Sequence, residues 1–471
     1  MTQLADALKI FLDADSVFDG EDVLKQFAYD GWPVAAKWRN QGKAPLKPEV
    51  VVRPARVEQI PKLLHWANGQ GIAITPWGAG SSVTGAPLPL TGGITLDLSL
   101  LDRTLEINER NLTVTVQTGK MGHILEAELN RRGYTLNHSP QSLDRSTAGG
   151  WISTRATGQF SSKWGGIENL VVGFDVVLPD GSIIQFATGP RMAVGPDLRH
   201  LFMGAEGTMG VVTQVTLQIF RQSPHRIFQT LAFDNLTEGV AVMREVMQRG
   251  LKPFLLRFYN VVESRHAMKD PNFNQCAMFI GFEGEQVIAE AEYSVAQAIW
   301  AGYGAQELGP VAVEKWMERR FDFSTVENIL KTPGGLAETI EVAHFWDGIE
   351  ETQQRLAQAL APYADEVLVH FSHAYPQGTS LYLILLGQCA NDADAEASLL
   401  QIWQTAMTVC LETGAALSHH HGVGVARRDF VRAALGSSMP VLERVKQALD
   451  PQNILSPGKL GLEFSRRADD R

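Results

Sequence analysis

Pro76-Trp77-Gly78-Ala79-Gly80-Ser81-Ser82-Val83-Thr84-Gly85 is the stretch on which the fold turns. It follows a short apolar run, Ile72 to Thr75, and leads to another at Ile94 to Leu98, so the spacing predicts a turn between two strands. Its three glycines and three hydroxyls let successive main-chain N–H groups turn toward one anion, as diphosphate binding requires. Two familiar phosphate loops are excluded. Gly80 and Gly85 have P-loop spacing, but Ala86-Pro87 stands where Lys and Ser or Thr belong. The Rossmann pattern fails because the third glycine is misplaced and no helix opens there. Read alone, the stretch fits a plain glycine-rich turn as well as an anion cradle.

Outward from it, Ile60, Leu63, Leu64 and Ala67 have helical spacing, and Gly71 stands where a C-cap would. On the other side come an alternating strand at Leu112 to Gln117, a helix at Ile124 to Arg132 stopped by Gly133, and a strand at Tyr134 to Leu136. Helices and strands alternate to about residue 140, an α+β or α/β rhythm. From 140 to 222 Gly, Ser and Thr become dense around strands at Leu170 to Leu178 and Val211 to Phe220, which reads as β-rich with close backbone approaches. Beyond Arg221, apolar strands (Ile227 to Phe233, Phe254 to Tyr259, Ala277 to Phe282) alternate with helical patterns at Val287 to Trp300, Asp347 to Ala361 and Ala395 to Thr413. This is a second α+β domain. The expected divisions are an N-terminal helical segment (1–45), a first domain (46–222), a second (223–425) and a C-terminal segment (426–471) with a helix at Val441 to Leu449 stopped by Asp450-Pro451.

Composition narrows the function. The chain has 471 residues, 45% of them hydrophobic, and a net charge of −11. That acidity argues against nucleic acid, whose phosphates need a basic face. Cys276, Cys389 and Cys410 are widely spaced, with neither metal spacing nor a disulfide framework, which fits a reducing cytoplasm. Met1 to Asp13 lacks the basic start and apolar run of a signal peptide, and a typical long apolar run, Leu381 to Leu386, is too short for a transmembrane segment. A cytoplasmic protein is expected.

Two further stretches repeat the glycine-and-hydroxyl texture: Gln141-Ser142-Leu143-Asp144-Arg145-Ser146-Thr147-Ala148-Gly149-Gly150-Trp151-Ile152-Ser153-Thr154-Arg155-Ala156-Thr157-Gly158, and Gly204-Ala205-Glu206-Gly207-Thr208-Met209-Gly210-Val211-Val212. Paired glycines admit a flat ligand against the main chain, and the hydroxyls offer donors. Three such loops in one half are harder to dismiss than one.

The order of the three loops, with Asp197-Leu198-Arg199-His200-Leu201-Phe202 before the third and Asp450-Pro451-Gln452-Asn453-Ile454-Leu455-Ser456-Pro457-Gly458-Lys459-Leu460 at the end, resembles the vanillyl-alcohol-oxidase or p-cresol-methylhydroxylase-type FAD family from about residue 45 onward. The resemblance implies an α+β fold: a two-part FAD-binding domain, an α+β cap with an antiparallel sheet, and a C-terminal segment returning to the flavin domain. It implies that FAD is held by Pro76, Trp77, Gly78, Ala79, Gly80, Ser81 and Ser82 at the diphosphate. Gln141, Ser142, Asp144, Thr147, Gly149, Gly150, Thr154, Arg155, Ala156 and Thr157 would line the isoalloxazine. Glu206, Gly207, Thr208, Gly210 and Val212 would take the ribityl and adenosine side. The first loop has neither His nor Cys, so non-covalent FAD is expected.

Within the family the chain looks closest to alkyldihydroxyacetonephosphate synthases, through Ser146 to Gly158, Gly165-Gly166-Ile167-Glu168-Asn169-Leu170-Val171-Val172 and Ser418-His419-His420-His421-Gly422-Val423-Gly424. The resemblance puts Tyr382, in Gly378-Thr379-Ser380-Leu381-Tyr382, on the catalytic tyrosine and Arg257 on an active-site arginine. His419, His420 and His421 would supply a proton acceptor, since imidazole titrates near neutrality and exchanges protons with phenols. Arg257 would pair with a substrate carboxylate or phosphate; the alternative is a buried structural ion pair. Tyr382 alone reads as a core tyrosine. A metal is not expected, because adjacent residues of a regular element cannot all face one ion. One departure stands out. The synthases' second substrate arginine, upstream of a segment matching Glu338-Thr339, has no counterpart in Phe323 to Leu330, where Glu327 is an acid instead; Arg319 and Arg320 lie just before it. The chain also ends without a peroxisomal signal. The implied function is oxidation of a hydroxylated small molecule by FAD, the alternatives being acyl-for-alkyl exchange through a flavin adduct or 2-hydroxy-acid dehydrogenation. Expected partners are a small-molecule substrate, a re-oxidant (acceptor protein, quinone or oxygen) and a second copy of the chain.

Overall fold

Ile60, Leu63, Leu64 and Ala67 form the buried stripe of a helix, Gln59–Gln70, closed by Gly71 at φ 63°, a left-handed cap that glycine adopts without strain. The N–H of Ile72 still reaches back to Ala67 O at 2.9 Å, so the following strand starts at Ile74 rather than Ile72 and takes in Pro76 and Trp77, which the sequence pattern assigns to the turn. A computed structural model describes residues 3–186 and 189–462 of the chain. In it β1 (Val17–Phe18), β2 (Val50–Val52), β3 (Ile74–Trp77) and β4 (Ile94–Asp97) form one sheet, ordered β1-β2-β4-β3, with β4 parallel to both neighbours.

The chain continues through β5 (Thr104–Asn108), β6 (Thr113–Gln117), β7 (Tyr134–Thr135), β8 (Val171–Val177), β9 (Ile183–Gln185), β10 (Val211–Gln218) and β11 (Phe220–Arg221). Five of these make an antiparallel sheet ordered β5-β6-β10-β8-β9, and β7 pairs with β11. The region from 140 to 222 is less β-rich than its composition suggests. The second glycine stretch folds as a helix, Ala148–Thr154, followed by short helices at Ser161–Trp164 and Ile167–Leu170. Thr147 explains the first: extended at φ −108°, it accepts the Gly150 N–H on its side chain, an N-cap that starts the helix where a hydroxyl-rich loop is expected. Gly149 is there for packing, since a Cβ would lie 2.8 Å from Thr118 Cβ.

The second half is built on seven antiparallel strands, β12 (His225–Phe233), β13 (Leu255–Tyr259), β14 (Cys276–Gly284), β15 (Gln306–Gly309), β16 (Gly335–Phe345), β17 (Glu366–Ser372) and β18 (Gly378–Gln388), ordered β15-β12-β14-β13-β17-β18-β16. Strand alternation gives this sheet two chemically different faces. Leu256, Phe258, Val369, Phe371, Leu381, Leu383 and Leu385 join one apolar cluster with residues of the helices Leu236–Gln248, Gln286–Gly302, Ile349–Leu360 and Asp392–Thr413. Each such leucine contributes about 1.5–3 kcal/mol by leaving water. The opposite face carries Arg257, Tyr259, His370 and Tyr382, the residues in between along the same strands.

The chain ends beside its beginning. Leu455 forms a parallel bridge with Ile74; the Ile74 N–H donates to Ile454 O at 2.7 Å and the Ser456 N–H to Ile74 O at 2.9 Å. Asp450 fixes this return by accepting the N–H groups of Ile454 and Leu455, and Lys459 donates to Gly85 O at 2.8 Å. The fold is α+β, and its glycine stretch is tied to the tail.

Candidate active site

Four neighbouring strands bring one row of side chains together. Tyr259 of β13 registers with His370 of β17, His370 with Tyr382 of β18, and Tyr382 with Glu341 of β16. Residues directly opposite across antiparallel strands share a face, so the row Tyr259–His370–Tyr382–Glu341 follows from register alone. Arg257, two residues before Tyr259, joins it: its Nη2 lies 2.9 Å from His370 Nε2 and its Nε donates to Tyr259 Oη at 2.9 Å. The His370 ring stacks on Tyr382 at 4.4 Å and 16°.

The histidine triplet lies against this row in an irregular segment after the helix Asp392–Thr413. Glu341 holds it there. One carboxylate oxygen accepts the N–H groups of His420 and His421, and the other accepts Ser418 Oγ at 3.1 Å and Arg427 Nη2 at 3.0 Å. Glu341 and Arg427 are fully buried together. Burial pushes the Glu341 carboxyl up, but His421, His420 and Arg427 outweigh it and hold it well below the ordinary carboxylate range. Arg427 is the permanent counter-charge, because burial drives His419 and His421 down to about 3 and leaves them neutral.

One proton arrangement satisfies all the contacts. His420 Nδ1 is 3.1 Å from Glu341 Oε1, and a carboxylate can only accept, so Nδ1 carries the hydrogen. His420 Nε2 is then a bare acceptor, 2.7 Å from Tyr382 Oη. His419 Nδ1, 2.8 Å from His420 Nδ1, is likewise an acceptor, so its Nε2–H donates to Tyr375 Oη at 2.7 Å. The result is a continuous line of hydrogen bonds, Tyr382–His420–His419–Tyr375. Burial, followed by the Glu341 charge, raises the Tyr382 phenol well above its ordinary value, so it keeps its proton until a reaction demands it.

Glu341, His419 and His420 have ligand atoms within 4.8 Å of one another. His421 is not in this group, so the three histidines do not converge on one point, and the hydrogen bonds above account for the cluster. Nor is Arg257 the buried structural ion pair considered as an alternative, for no carboxylate lies within ion-pair distance of it among the described residues. Arg319 donates to Ala267 O, Arg320 lines a cavity with His138, and Glu327 pairs with Arg145 at 2.6 Å in a half-exposed ion pair.

The glycine stretches touch one another and the segment that follows the triplet. A Cβ on Gly78 would sit 2.6 Å from Thr147 Oγ1, one on Gly207 3.0 Å from the Pro76 ring, and one on Gly422 2.6 Å from Glu206 Oε1 and 3.3 Å from Thr154 Cγ2. Gly80 has φ 67° with Trp77 packed where a side chain would go. Glu206, left-handed at φ 49°, accepts the N–H groups of Val423 and Gly424, which ties the third stretch to the residues after the triplet. From Gly78 to Val83 no N–H group donates to any protein atom among the described residues. Six free donors on a glycine turn, only partly exposed, fit a diphosphate. Thr157 and Thr208 are buried, and Gly150 has open space beyond Thr147. Gln141, Asp144 and Arg155 are less well placed: the first two are exposed, and Asp144 and Arg155 pair with Arg145 and Glu168. Ala79, Ser81, Ser82, Ser142, Ala156, Gly210 and Val212 lie on the same three stretches, Gly210 against Val176.

Glu341, Arg427, His370 with its partner Glu263 (Nδ1 to Oε1, 2.7 Å), Tyr375, and His373, whose ring stacks on His419 at 5.1 Å, escaped sequence reasoning. For Glu341 and His370 the one signal was polarity within an apolar strand, as in His370 within Glu366–Ser372; the other four lie outside strands and gave none.

Among the described residues no helix is long and apolar enough to cross a membrane. Residues 48–187 match the family described as FAD binding domain, and residues 222–460 match FAD linked oxidases, C-terminal domain. The chain is 30% identical to an uncharacterized FAD-linked oxidoreductase, YgcU, of Escherichia coli O157:H7, covering 97% of this chain and 98% of that one. It is 30% identical to the alkyldihydroxyacetonephosphate synthase of Caenorhabditis elegans over 89% of this chain and 77% of that one. Its fold superposes on a structure of p-cresol methylhydroxylase with a TM-score of 0.81 at 15% identity, over 98% of each chain. With residues 48–187 and 222–460 both matched and a relative 30% identical over nearly the whole length, this chain is a member of the FAD-linked oxidase family.

Proposed function

We propose that the chain oxidises a hydroxylated small molecule, with Tyr382 and His420 taking up the hydroxyl proton while a hydride leaves the substrate carbon. Bound FAD supplies the acceptor for that hydride. The observation that carries this reading is the Tyr382–His420–Glu341 line. Tyr382 gives its proton to His420 Nε2 as it takes the substrate's, and the Glu341 carboxylate stabilises the charge that develops on the imidazole. Arg257 Nη1 has no protein partner among the described residues and offers a charge-assisted bond to a substrate carboxylate or phosphate. His419 and Tyr375 extend the line and give the proton a way out of a buried site.

FAD is held non-covalently in this reading, since Pro76 to Gly85 contains neither His nor Cys. Gly78→Ala presses a methyl group onto Thr147 Oγ1, so FAD affinity falls at least about tenfold. Fluorescence titration of the apoprotein with FAD measures this, with circular dichroism confirming the fold.

The test of function is anaerobic screening of alcohols, 2-hydroxy acids and sugar acids for bleaching of the oxidised flavin absorbance. No bleaching by any of them, with FAD firmly bound, removes this reading. A second reading, redox-neutral exchange of acyl for alkyl, draws on the likeness to alkyldihydroxyacetonephosphate synthase. Ether product from an acyl dihydroxyacetone phosphate and a fatty alcohol, without net bleaching, would favour it.

A further inference from the structure

Between the helices Glu21–Gln26 and Pro33–Asn40 the chain turns at Asp30-Gly31-Trp32, and this turn packs on the first glycine stretch. Three contacts make the connection. The Phe27 ring meets Trp77 edge-on at 5.0 Å, and Trp77 fills the space beside Gly80. A Cβ on Gly31 would lie 3.0 Å from Ser82 O and 3.3 Å from Ser81 O, so those two carbonyl oxygens are its nearest neighbours. Asp30 accepts the Gly85 N–H on Oδ2 at 2.9 Å, while its Oδ1 accepts the Trp32 N–H at 3.0 Å. The second bond is an Asx turn that sets the chain's entry into the helix starting at Pro33.

The direction of these contacts matters. In a trans peptide the N–H points opposite to the C=O of the same unit, and no peptide bond among the described residues is cis. With the Ser81 and Ser82 oxygens against Gly31, the N–H groups of Ser82 and Val83 face away from the turn. These are two of the six donors that find no acceptor in the protein among the described residues.

Gly85 fixes the end of the loop. Its N–H goes to Asp30 and its carbonyl receives Lys459 Nζ at 2.8 Å, so one residue is gripped by an acid from the start of the chain and a base from its end. Both charged groups are buried. Gly85 is left-handed at φ 79°, with Val425 and Trp32 where a side chain would go. The N–H groups of Val425 and Ala426 close on Thr84 O at 2.7 and 3.1 Å. The turn is anchored on the second half of the molecule as well, through the fully buried Lys37 and its 2.9 Å pair with Asp392. An acid near an anion site repels the anion when its charge faces it; both Asp30 oxygens are instead taken by main-chain N–H groups.

We propose that the turn Asp30-Gly31-Trp32 belongs to the FAD site, with Asp30 and Gly31 as positioning residues that hold the loop Gly78 to Gly85 with its N–H groups turned to the cofactor. The proposal rests on the reading of Gly78 to Val83 as the diphosphate cradle. Both residues act through the loop. A loop already held in its bound shape gives up less conformational freedom on binding, so the clamp raises affinity for whatever the loop grips.

Fluorescence titration of the apoprotein with FAD and, separately, with riboflavin, which has the flavin ring but no diphosphate, tests this. Gly31→Ala weakens FAD binding about threefold to tenfold and Asp30→Ala at least about tenfold, while both leave riboflavin within about twofold of wild type. Gly31 is not left-handed, so alanine strains only the contact with Ser81 and Ser82, and this variant carries the test should Asp30→Ala fail to fold. Asp22→Ala, at an exposed acid of the same segment, changes neither constant. FAD binding at wild-type strength in Gly31→Ala, or an equal loss of FAD and riboflavin in both variants, overturns the proposal. Gly78→Ala separates it from the reading beneath it. Normal FAD binding in Gly78→Ala removes the diphosphate cradle itself, whereas weakened binding there beside intact Gly31→Ala and Asp30→Ala sinks the positioning role alone.

Discussion

Tyr382→Phe lowers the anaerobic rate of flavin reduction by the true substrate by about 100- to 10,000-fold, the range for losing a positioned proton-transfer group. The substitution is narrow. Phenylalanine keeps the ring that stacks on His370 and leaves the Leu381, Leu383 and Leu385 face untouched, so only the hydroxyl bonded to His420 Nε2 is removed. Stopped-flow absorbance with FAD content measured in parallel gives the answer. Because the change is local, flavin content and thermal stability stay at wild-type values while the reduction rate collapses. A Tyr382→Phe protein that reduces flavin at the normal rate ends the assignment of this row to proton transfer.

Much of this arrangement could be read before any coordinates. Periodicity located the helix Gln59–Gln70 and its Gly71 cap, and glycine density marked the three stretches that meet around Gly78, Thr147 and Glu206. Tyr382, Arg257 and the triplet were reached through resemblance, since in sequence they are 125 and 37 or more positions apart and nothing local connects them. What stayed hidden depends on pairing across strands. Glu341 reads as an acid in an apolar run until β16 is set against β18 and its register with Tyr382 is known. Arg427 follows the triplet in a segment with no periodicity, and its role exists only because Glu341 is buried beside it. Local chemistry misled in one place: the hydroxyls and glycines from Thr147 to Thr154 suggested a loop, whereas one side-chain oxygen on the Gly150 N–H was enough to begin a helix.

Glu341→Gln produces two separable losses. The first is stability. Removing the carboxylate charge leaves the Arg427 guanidinium buried without a counter-ion, which costs about 3–5 kcal/mol when a buried pair is broken from one side. Urea unfolding at saturating FAD measures it. The second is activity. Glutamine can present its amide N–H to His420 Nδ1, which moves the imidazole hydrogen to Nε2 and turns the acceptor facing Tyr382 into a donor. Flavin reduction then falls by about 100-fold or more, the scale of a lost proton acceptor. The double variant Glu341→Gln/Arg427→Met separates the two effects, since it removes the unpaired charge without restoring the carboxylate. Stability recovers by at least about half of the single-variant loss, because a hydrophobic replacement of a buried pair is often close to neutral. Reduction stays slow. Recovery of both properties in the double variant would make Glu341 only a counter-ion for Arg427, and the proton order along Tyr382, His420, His419 and Tyr375 would need another origin.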